Sequence, residues 1–190
     1  KVTANDGSSS DWSPSAHFFT GKMNTEWTAD FISIDEEKDA KNSKTVYLRK
    51  DFQLAKPIAT AYLHSSALGL YIPYLNGKRV GDSELAPGFT SYHKHIRYQS
   101  YDVTDQVQEG LNCLGAQVGA GWYKGAFNFH KAHNHYGDQS AFIAELYVEY
   151  TDGTTDVFVT DQTWKGHDAP VIYAEIYDGE TYDADLEIPG

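Results

Sequence analysis

The sequence predicts an all-β fold, an antiparallel β-sandwich of jelly-roll type. Apolar and polar residues alternate with period two in most patterned segments, as they do in strands that bury one face. Aromatic residues, which favour strands, make up 14% of the chain. Helical signals are scarce and no repeat is visible, so about eight to ten strands account for the pattern.

The first clear strand begins at Thr45, where the pattern changes to period two. Its apolar face carries Val46, Leu48, Phe52 and Leu54. Residues 58–65 continue the alternation and place Ala59, Ala61 and Leu63 on one face. We expect both segments to be strands with one buried face.

Turn sequences predict two hairpins. Asn76-Gly77 lies between strands expected at 70–75 and 78–80, and this pair favours a type I′ turn because both central residues need positive φ. Asp152-Gly153 closes the second hairpin. The other strands are expected at residues 96–101, 111–118, 141–151, 155–160 and 171–177.

The domain organisation follows from where the apolar pattern starts. Residues 1–24 are mostly polar and weakly patterned, so we expect a flexible lead-in there. Trp27 and Phe31 begin the patterned part, and we expect residues 25–190 to form a single β-sandwich domain.

The charge balance excludes several classes of partner. The chain carries 15 basic and 27 acidic residues, a formal charge of −12. Nucleic acids are bound by Lys and Arg, which displace counterions from phosphates, so we expect neither nucleic acid nor an anionic membrane as a partner. A neutral sugar or a cation is compatible with this charge.

The sequence gives few indications of the cellular compartment or of redox chemistry. The single cysteine, Cys113, forms no internal disulfide and is expected to be a small buried apolar residue of a strand. No apolar run reaches about 18 residues, so we expect no membrane span. The N-terminal residues lack the apolar core of a signal peptide, which favours a cytoplasmic over a secreted protein.

Several motifs occur in the order in which one known family has them. They are Gly-Leu-Tyr at 69–71, Asn-Gly-Lys-Arg-Val-Gly-Asp at 76–82, Leu-Ala-Pro-Gly-Phe-Thr-Ser-Tyr at 85–92, Tyr-Gln-Ser-Tyr-Asp-Val-Thr at 98–104, Gly-Leu-Asn at 110–112, Gly-Trp-Tyr-Lys-Gly at 121–125 and Tyr-Asp-Gly-Glu-Thr-Tyr-Asp-Ala at 177–184. From about Trp27 to the C-terminus, the chain resembles the N-terminal domain of bacterial α-L-rhamnosidases.

The resemblance implies a β-sandwich placed ahead of a catalytic (α/α)6 barrel. The glutamate acid and base of the glycosidase would lie in that barrel, after residue 190, so this chain is expected to be inactive alone. The implied partners are the C-terminal catalytic domain of the same protein and a rhamnose-containing glycan. Some related domains bind rhamnose together with calcium, which makes calcium the cofactor to consider.

Trp122 and Tyr123 are the first candidates for carbohydrate binding. They lie between Gly121 and Gly125, in a tight turn that places large rings at the surface. The apolar face of a sugar stacks on such rings, whose polar tips also donate hydrogen bonds. Two other interpretations are a docking face for the catalytic domain and a plug for the end of the sandwich.

The other candidates supply hydrogen bonds. Asn128, His130 and Asp138 follow in a long loop and suit sugar hydroxyls, and Asp82 follows the predicted hairpin closely enough to face a ligand. His130, His133 and His135 also form a cluster able to bind zinc or nickel, although no spacing completes a known closed site. We expect no catalytic residue and no closed metal site here.

Three functions remain open on the sequence. The first is a non-catalytic domain that recognises rhamnose-containing glycans and packs on the catalytic domain. The second is a purely structural support between domains, with no sugar binding. The third is an autonomous hydrolase that uses surface carboxylates, for which the acidic run at 178–185 offers closely spaced candidates. That run also suits an acidic linker or a calcium site.

Overall fold

The computed structural model describes residues 1–16, 18–34, 43–127 and 130–188, within which the backbone forms eleven strands. They are β1 (Val46–Leu54), β2 (Ile58–Leu68), β3 (Leu70–Leu75), β4 (Lys78–Arg79), β5 (Gln99–Asp102), β6 (Gly110–Gly119), β7 (Ala141–Tyr150), β8 (Thr155–Val159), β9 (Lys165–Asp168), β10 (Val171–Glu175) and β11 (Gly179–Tyr182). The described helical segments are α1 (Gly121–Lys124) and two 3₁₀ turns, Thr104–Gln106 and Ala184–Leu186. None of them is long and apolar enough to cross a membrane.

Two antiparallel sheets form the body of the fold. The five-stranded sheet has the order β4-β3-β6-β1-β9, and the four-stranded sheet has the order β5-β2-β7-β8. β10 and β11 pair as a separate two-stranded ribbon. The predicted all-β, antiparallel class is confirmed, and the jelly-roll connectivity stays a prediction.

The hydrophobic core lies between the two sheets. From β1 it receives Val46, Leu48, Phe52 and Leu54, as the period-two pattern predicts. From the other sheet, β7 contributes Phe142 and Leu146, which are fully buried. Burial of one such side chain contributes about 1.5–3 kcal/mol, so packing between the two sheets is a main source of stability.

The predicted register fails at the start of β2. Ala61 and Leu63 are buried as expected, but Ala59 is exposed. The pairing of β2 with β7 shifts between Ile58 and Thr60, and such a bulge changes the face on which the preceding residues lie. The expectation for Ala59 was therefore wrong.

The predicted hairpin at Asn76-Gly77 is confirmed, with φ angles of 52° and 77°. The Asn76 side chain also ties the turn to β6, because it accepts a hydrogen bond from the Cys113 amide at 2.8 Å and donates one to Asn112 at 2.9 Å. Cys113 is half-buried rather than buried, because it alternates along β6 with residues that face the core.

A buried ion pair fastens the N-terminal segment to the four-stranded sheet. The side chains of Lys22 and Glu145 are 2% and 0% exposed, and the ammonium group donates a hydrogen bond to the carboxylate. Glu145 also accepts hydrogen bonds from the hydroxyls of Thr28 at 3.0 Å and Tyr147 at 2.8 Å. Packed contacts begin even earlier, at Phe19, whose ring lies 4.6 Å from that of Tyr62 on β2. The expected boundary between lead-in and domain at residue 25 stays a prediction.

These contacts set the pKa of Glu145. Burial raises the pKa, but the hydrogen bonds from Lys22, Thr28 and Tyr147 outweigh burial and lower it to about 2. Because the folded pKa lies below the unfolded value, the contribution of this carboxylate to stability is complete above about pH 4.5. It is lost as the pH falls towards about 2.

We expect Glu145→Gln to lower the free energy of unfolding at neutral pH by about 3 kcal/mol, since it leaves Lys22 buried without a counter-charge. Denaturant titration measures the change. Asp152→Asn, which removes the exposed ion pair with Lys56, is the control and should cost much less. A Glu145→Gln variant as stable as the parent contradicts this account of the pair.

The same pair predicts a pH dependence. Between about pH 5 and pH 3, the parent should lose stability more steeply than Glu145→Gln, because only the parent must protonate this carboxylate. Thermal unfolding of both proteins across this range measures the difference. Parallel pH profiles would exclude Glu145 as the titrating group.

Candidate functional site

Two glycines allow close backbone contacts where β3 begins and where β6 ends. A Cβ on Gly69 would clash with the carbonyl oxygen of Gly119, and a Cβ on Gly121 would lie 2.6 Å from Leu70 Cγ. Both glycines also have positive φ, +134° at Gly69 and +52° at Gly121. The close approach of these backbones ends β6 and starts α1, which carries the half-buried side chains of Trp122 and Tyr123.

The rings of α1 belong to an aromatic cluster built from two loops. We define the aromatic cluster by its ring contacts as Phe89, Tyr92, His93, Trp122, Tyr123, Phe127, His135 and Tyr136. Phe89 lies at its centre: its ring is 5.8 Å from Trp122 and 5.7 Å from Phe127. Phe89 is nevertheless 45% exposed, so the cluster presents ring surface to solvent.

Part of this surface is a row of stacked rings. Phe89 and Phe127 lie at an interplanar angle of 21°, and Phe127 and His135 lie at 22° with centroids 5.4 Å apart. Stacked rings partly cover one another's faces, so the ring surface open to a ligand is the part that the neighbouring rings leave uncovered.

The inner part of the cluster is buried and closely packed. Tyr92 is buried, its ring lies 5.0 Å from Tyr136 and 5.4 Å from Tyr123, and its hydroxyl donates to the Gly88 carbonyl at 3.2 Å. Burial, with a smaller effect of Tyr136, raises the pKa of Tyr92 to about 12. The phenol therefore stays neutral and keeps its hydrogen bond at physiological pH.

A groove of about 880 Å³ adjoins the cluster at Tyr123, and we call it the Tyr123 groove. Its lining includes the half-exposed ring of Phe31 and the polar side chains of Asp138 and Gln162. Burial, followed by the nearby Asp138 charge, raises the pKa of Tyr123. The groove is of the size that small ligands occupy and combines ring surface with hydrogen-bonding groups.

Backbone bonds and one buried carboxylate hold the loop that carries these rings. The Asn134 amide donates to the Lys124 carbonyl at 2.8 Å. Glu175, whose side chain is 0% exposed, accepts hydrogen bonds from the Ser43 hydroxyl and from the Ala126 amide at 2.8 Å. His133 Nδ1 lies 3.6 Å from the same carboxylate, so β10 anchors the loop at several points.

The structure brings together some of the predicted site residues and leaves others apart. Trp122 and Tyr123 lie in the aromatic cluster, and Asp138 lines the Tyr123 groove beside it. His130 lies in an exposed turn of the same loop, and Asp82 is exposed after β4; neither belongs to the cluster. Asn128 lies outside the described residues. Carbohydrate binding by this set stays a prediction.

Sequence reasoning missed Phe89, Tyr92, Phe127 and Tyr136 as members of the site. A signal was present, because Phe89 and Tyr92 lie in one of the family motifs and the loop after Gly121 is rich in rings. Only the tertiary fold shows that these two segments pack on each other.

Metal binding finds no support among the described residues, where no three His, Cys, Asp or Glu side chains are grouped as a metal ion needs. In the acidic run, Asp178 is paired with Lys131 at 2.7 Å, and Asp183 accepts a hydrogen bond from the Asp185 amide at 3.1 Å. These two carboxylates therefore serve local structure.

We expect Tyr92→Ala to lower the free energy of unfolding by about 3 kcal/mol, since it removes a buried ring on which the other rings pack. Tyr177→Ala, at a site 63% exposed, is the control and should change stability little. Thermal unfolding with near-ultraviolet circular dichroism reports both the stability and the ring packing. Equal small effects of the two changes would mean that Tyr92 does not organise the cluster.

Comparisons with known proteins agree with this architecture. A family model described as the α-L-rhamnosidase N-terminal domain matches residues 56–190. An α-L-rhamnosidase of Formosa agariphila is 35% identical over an alignment of 193 positions, which covers 97% of this chain and 21% of the relative. The Streptomyces avermitilis α-L-rhamnosidase, solved in complex with L-rhamnose, superposes with a TM-score of 0.75 and 43% identity. That match covers 77% of this chain and 14% of the other.

The α-L-rhamnosidase of Aspergillus terreus gives a TM-score of 0.75 and 38% identity, over 82% of this chain and 18% of that one. The chain thus spans about a fifth or less of the length of these relatives, in which the matched domain sits with a catalytic domain. The resemblance found in the motifs is confirmed. The chain belongs to the α-L-rhamnosidase N-terminal domain family.

Proposed function

We propose that this domain recognises rhamnose-containing glycans for an α-L-rhamnosidase and that the aromatic cluster, with the adjoining Tyr123 groove, is the sugar site. One observation carries the proposal: exposed ring surface at Phe89 and Trp122 lies beside a groove with polar lining, and Tyr123 belongs to both. Sugar sites combine these two elements because a pyranose has apolar C–H faces and a rim of hydroxyl groups.

The chemistry of the site fits a neutral sugar. Rings of Trp122 and Phe89 stack on the apolar face, while Asp138 and Gln162 exchange hydrogen bonds with hydroxyls. A net charge of −12 repels acidic glycans but costs a neutral deoxysugar nothing. The Streptomyces avermitilis relative was solved with L-rhamnose, so this is the sugar to test first.

A second function, support of a catalytic domain, is favoured by a different surface. Large apolar side chains are exposed near the C-terminal end of the chain: Tyr177, Tyr182, Leu186 and Ile188. Exposed apolar groups close together mark contact surfaces in many proteins. The two functions are compatible because their surfaces involve different residues.

We expect the domain to bind L-rhamnose with a Kd of roughly 0.1–1 mM, which is normal for one stacked sugar. Trp122→Ala should weaken binding about five- to tenfold without unfolding the domain, because it removes one stacking plate. Isothermal titration calorimetry measures the affinity. Trp12→Ala, which changes a tryptophan 79% exposed and outside the cluster, is the matched control and should bind as the parent does.

Running each titration with calcium and with EDTA separates the outcomes. Binding that is lost in EDTA would establish calcium as part of the site. Normal binding by Trp122→Ala contradicts the stacking role, and no binding by the parent in either buffer leaves structural support as the function.

A further inference from the structure

A second groove lies on the outer face of the five-stranded sheet, on residues that alternate with the core. Its volume is about 610 Å³. Ile72 and Gln117 form its floor, and they are paired across β3 and β6, while their sequence neighbours Tyr71 and Val118 face the core. The ribbon of β10 and β11 forms the opposite wall, so we call it the hairpin groove.

The hairpin groove is apolar inside and open at its lips. Leu70, Ile72 and Ile176 line it, and the lips are Leu85 and Tyr182, each 52% exposed. Leu85 has a φ of +54°, in the left-handed region that a leucine rarely adopts. An exposed leucine held in a strained backbone, facing an exposed tyrosine across an apolar groove, points to a contact surface.

The charged residues that line the hairpin groove indicate the charge of its partner. Every charged side chain among the described lining residues is a carboxylate, namely Glu84, Glu175 and Glu180. Glu84 is paired with Arg79, and Glu175 is buried among its own donors, so Glu180 is the carboxylate that faces a partner at the rim. A segment that carries Lys or Arg complements this rim, whereas a second copy of this chain, also at −12, is repelled.

We propose that the hairpin groove receives a segment of the catalytic region of the same polypeptide, in which an apolar side chain stands next to Lys or Arg. This inference rests on the supporting role in the proposed function and gives that role its surface. In the relatives, the matched domain is only 14–21% of the chain, so ample polypeptide lies outside it. β11, which forms one lip, is followed in the chain by the exposed apolar residues Leu186 and Ile188.

The test places a photoreactive benzoylphenylalanine at Tyr182 in the full-length polypeptide and maps the cross-link by mass spectrometry. We expect one major cross-link, to a segment C-terminal of residue 190 that carries an apolar residue beside Lys or Arg. The same probe at Leu111, which is 69% exposed on β6 but outside the groove, is the matched control and should give little product. The probe at Leu85, on the other lip, should reach the same segment and covers the case in which the Tyr182 variant does not fold.

A charge reversal at Glu180 tests whether the rim of the hairpin groove contacts a basic residue of the partner segment. Glu180→Lys should lower the Tyr182 cross-link yield about two- to fivefold, the range expected for one exposed ion pair. Glu109→Lys, an exposed change outside the groove, should leave the yield unchanged.

Three results would overturn the proposal: cross-links to a second copy, no cross-linking from either lip above the Leu111 control, or a yield insensitive to Glu180→Lys. The sugar proposal is judged separately. L-rhamnose titration of the Glu180→Lys protein measures sugar binding at the aromatic cluster, which shares no residue with the hairpin groove.

Discussion

The close backbone approach between Gly69 and Gly119 is the constraint on which the proposed sugar site depends. Gly69 joins β2 of one sheet to β3 of the other, and it lies against the end of β6 with no room for a Cβ. Gly121, held against Leu70, then turns the chain into α1. A Cβ at either glycine would overlap these atoms, so a larger residue would require the backbones to move apart.

The aromatic cluster has a buried inner side and an outer side that is exposed to solvent. Tyr92 and Gly88 fix its inner side, and Glu175 holds the loop from below, so the outer rings do not have to order themselves when a ligand arrives. Rigid rings lose little conformational freedom on binding, which matters for a weak ligand such as a single sugar. The same packing lets Trp122 and Tyr123 contribute to the cluster while each ring stays partly exposed.

Sequence reasoning succeeded where the signal is local. The β1 alternation and the Asn76-Gly77 turn depend only on residues that are close together in the sequence, and both appear as predicted. β9 and β11 were missed because all their residues are exposed, so no apolar alternation marks them. The contact of Phe89 with Trp122 and the burial of Lys22 against Glu145 join distant segments, and only the fold creates them.

The central claim is that the aromatic cluster and the Tyr123 groove form a sugar site. Backbone amide shifts from an L-rhamnose titration, followed by nuclear magnetic resonance, test it most directly. The account predicts saturable shifts confined to Phe89–Tyr92, to α1 and the loop up to Asp138, and to the groove lining around Phe31 and Gln162. No shifts at saturating sugar, or shifts centred on the hairpin groove, would contradict it.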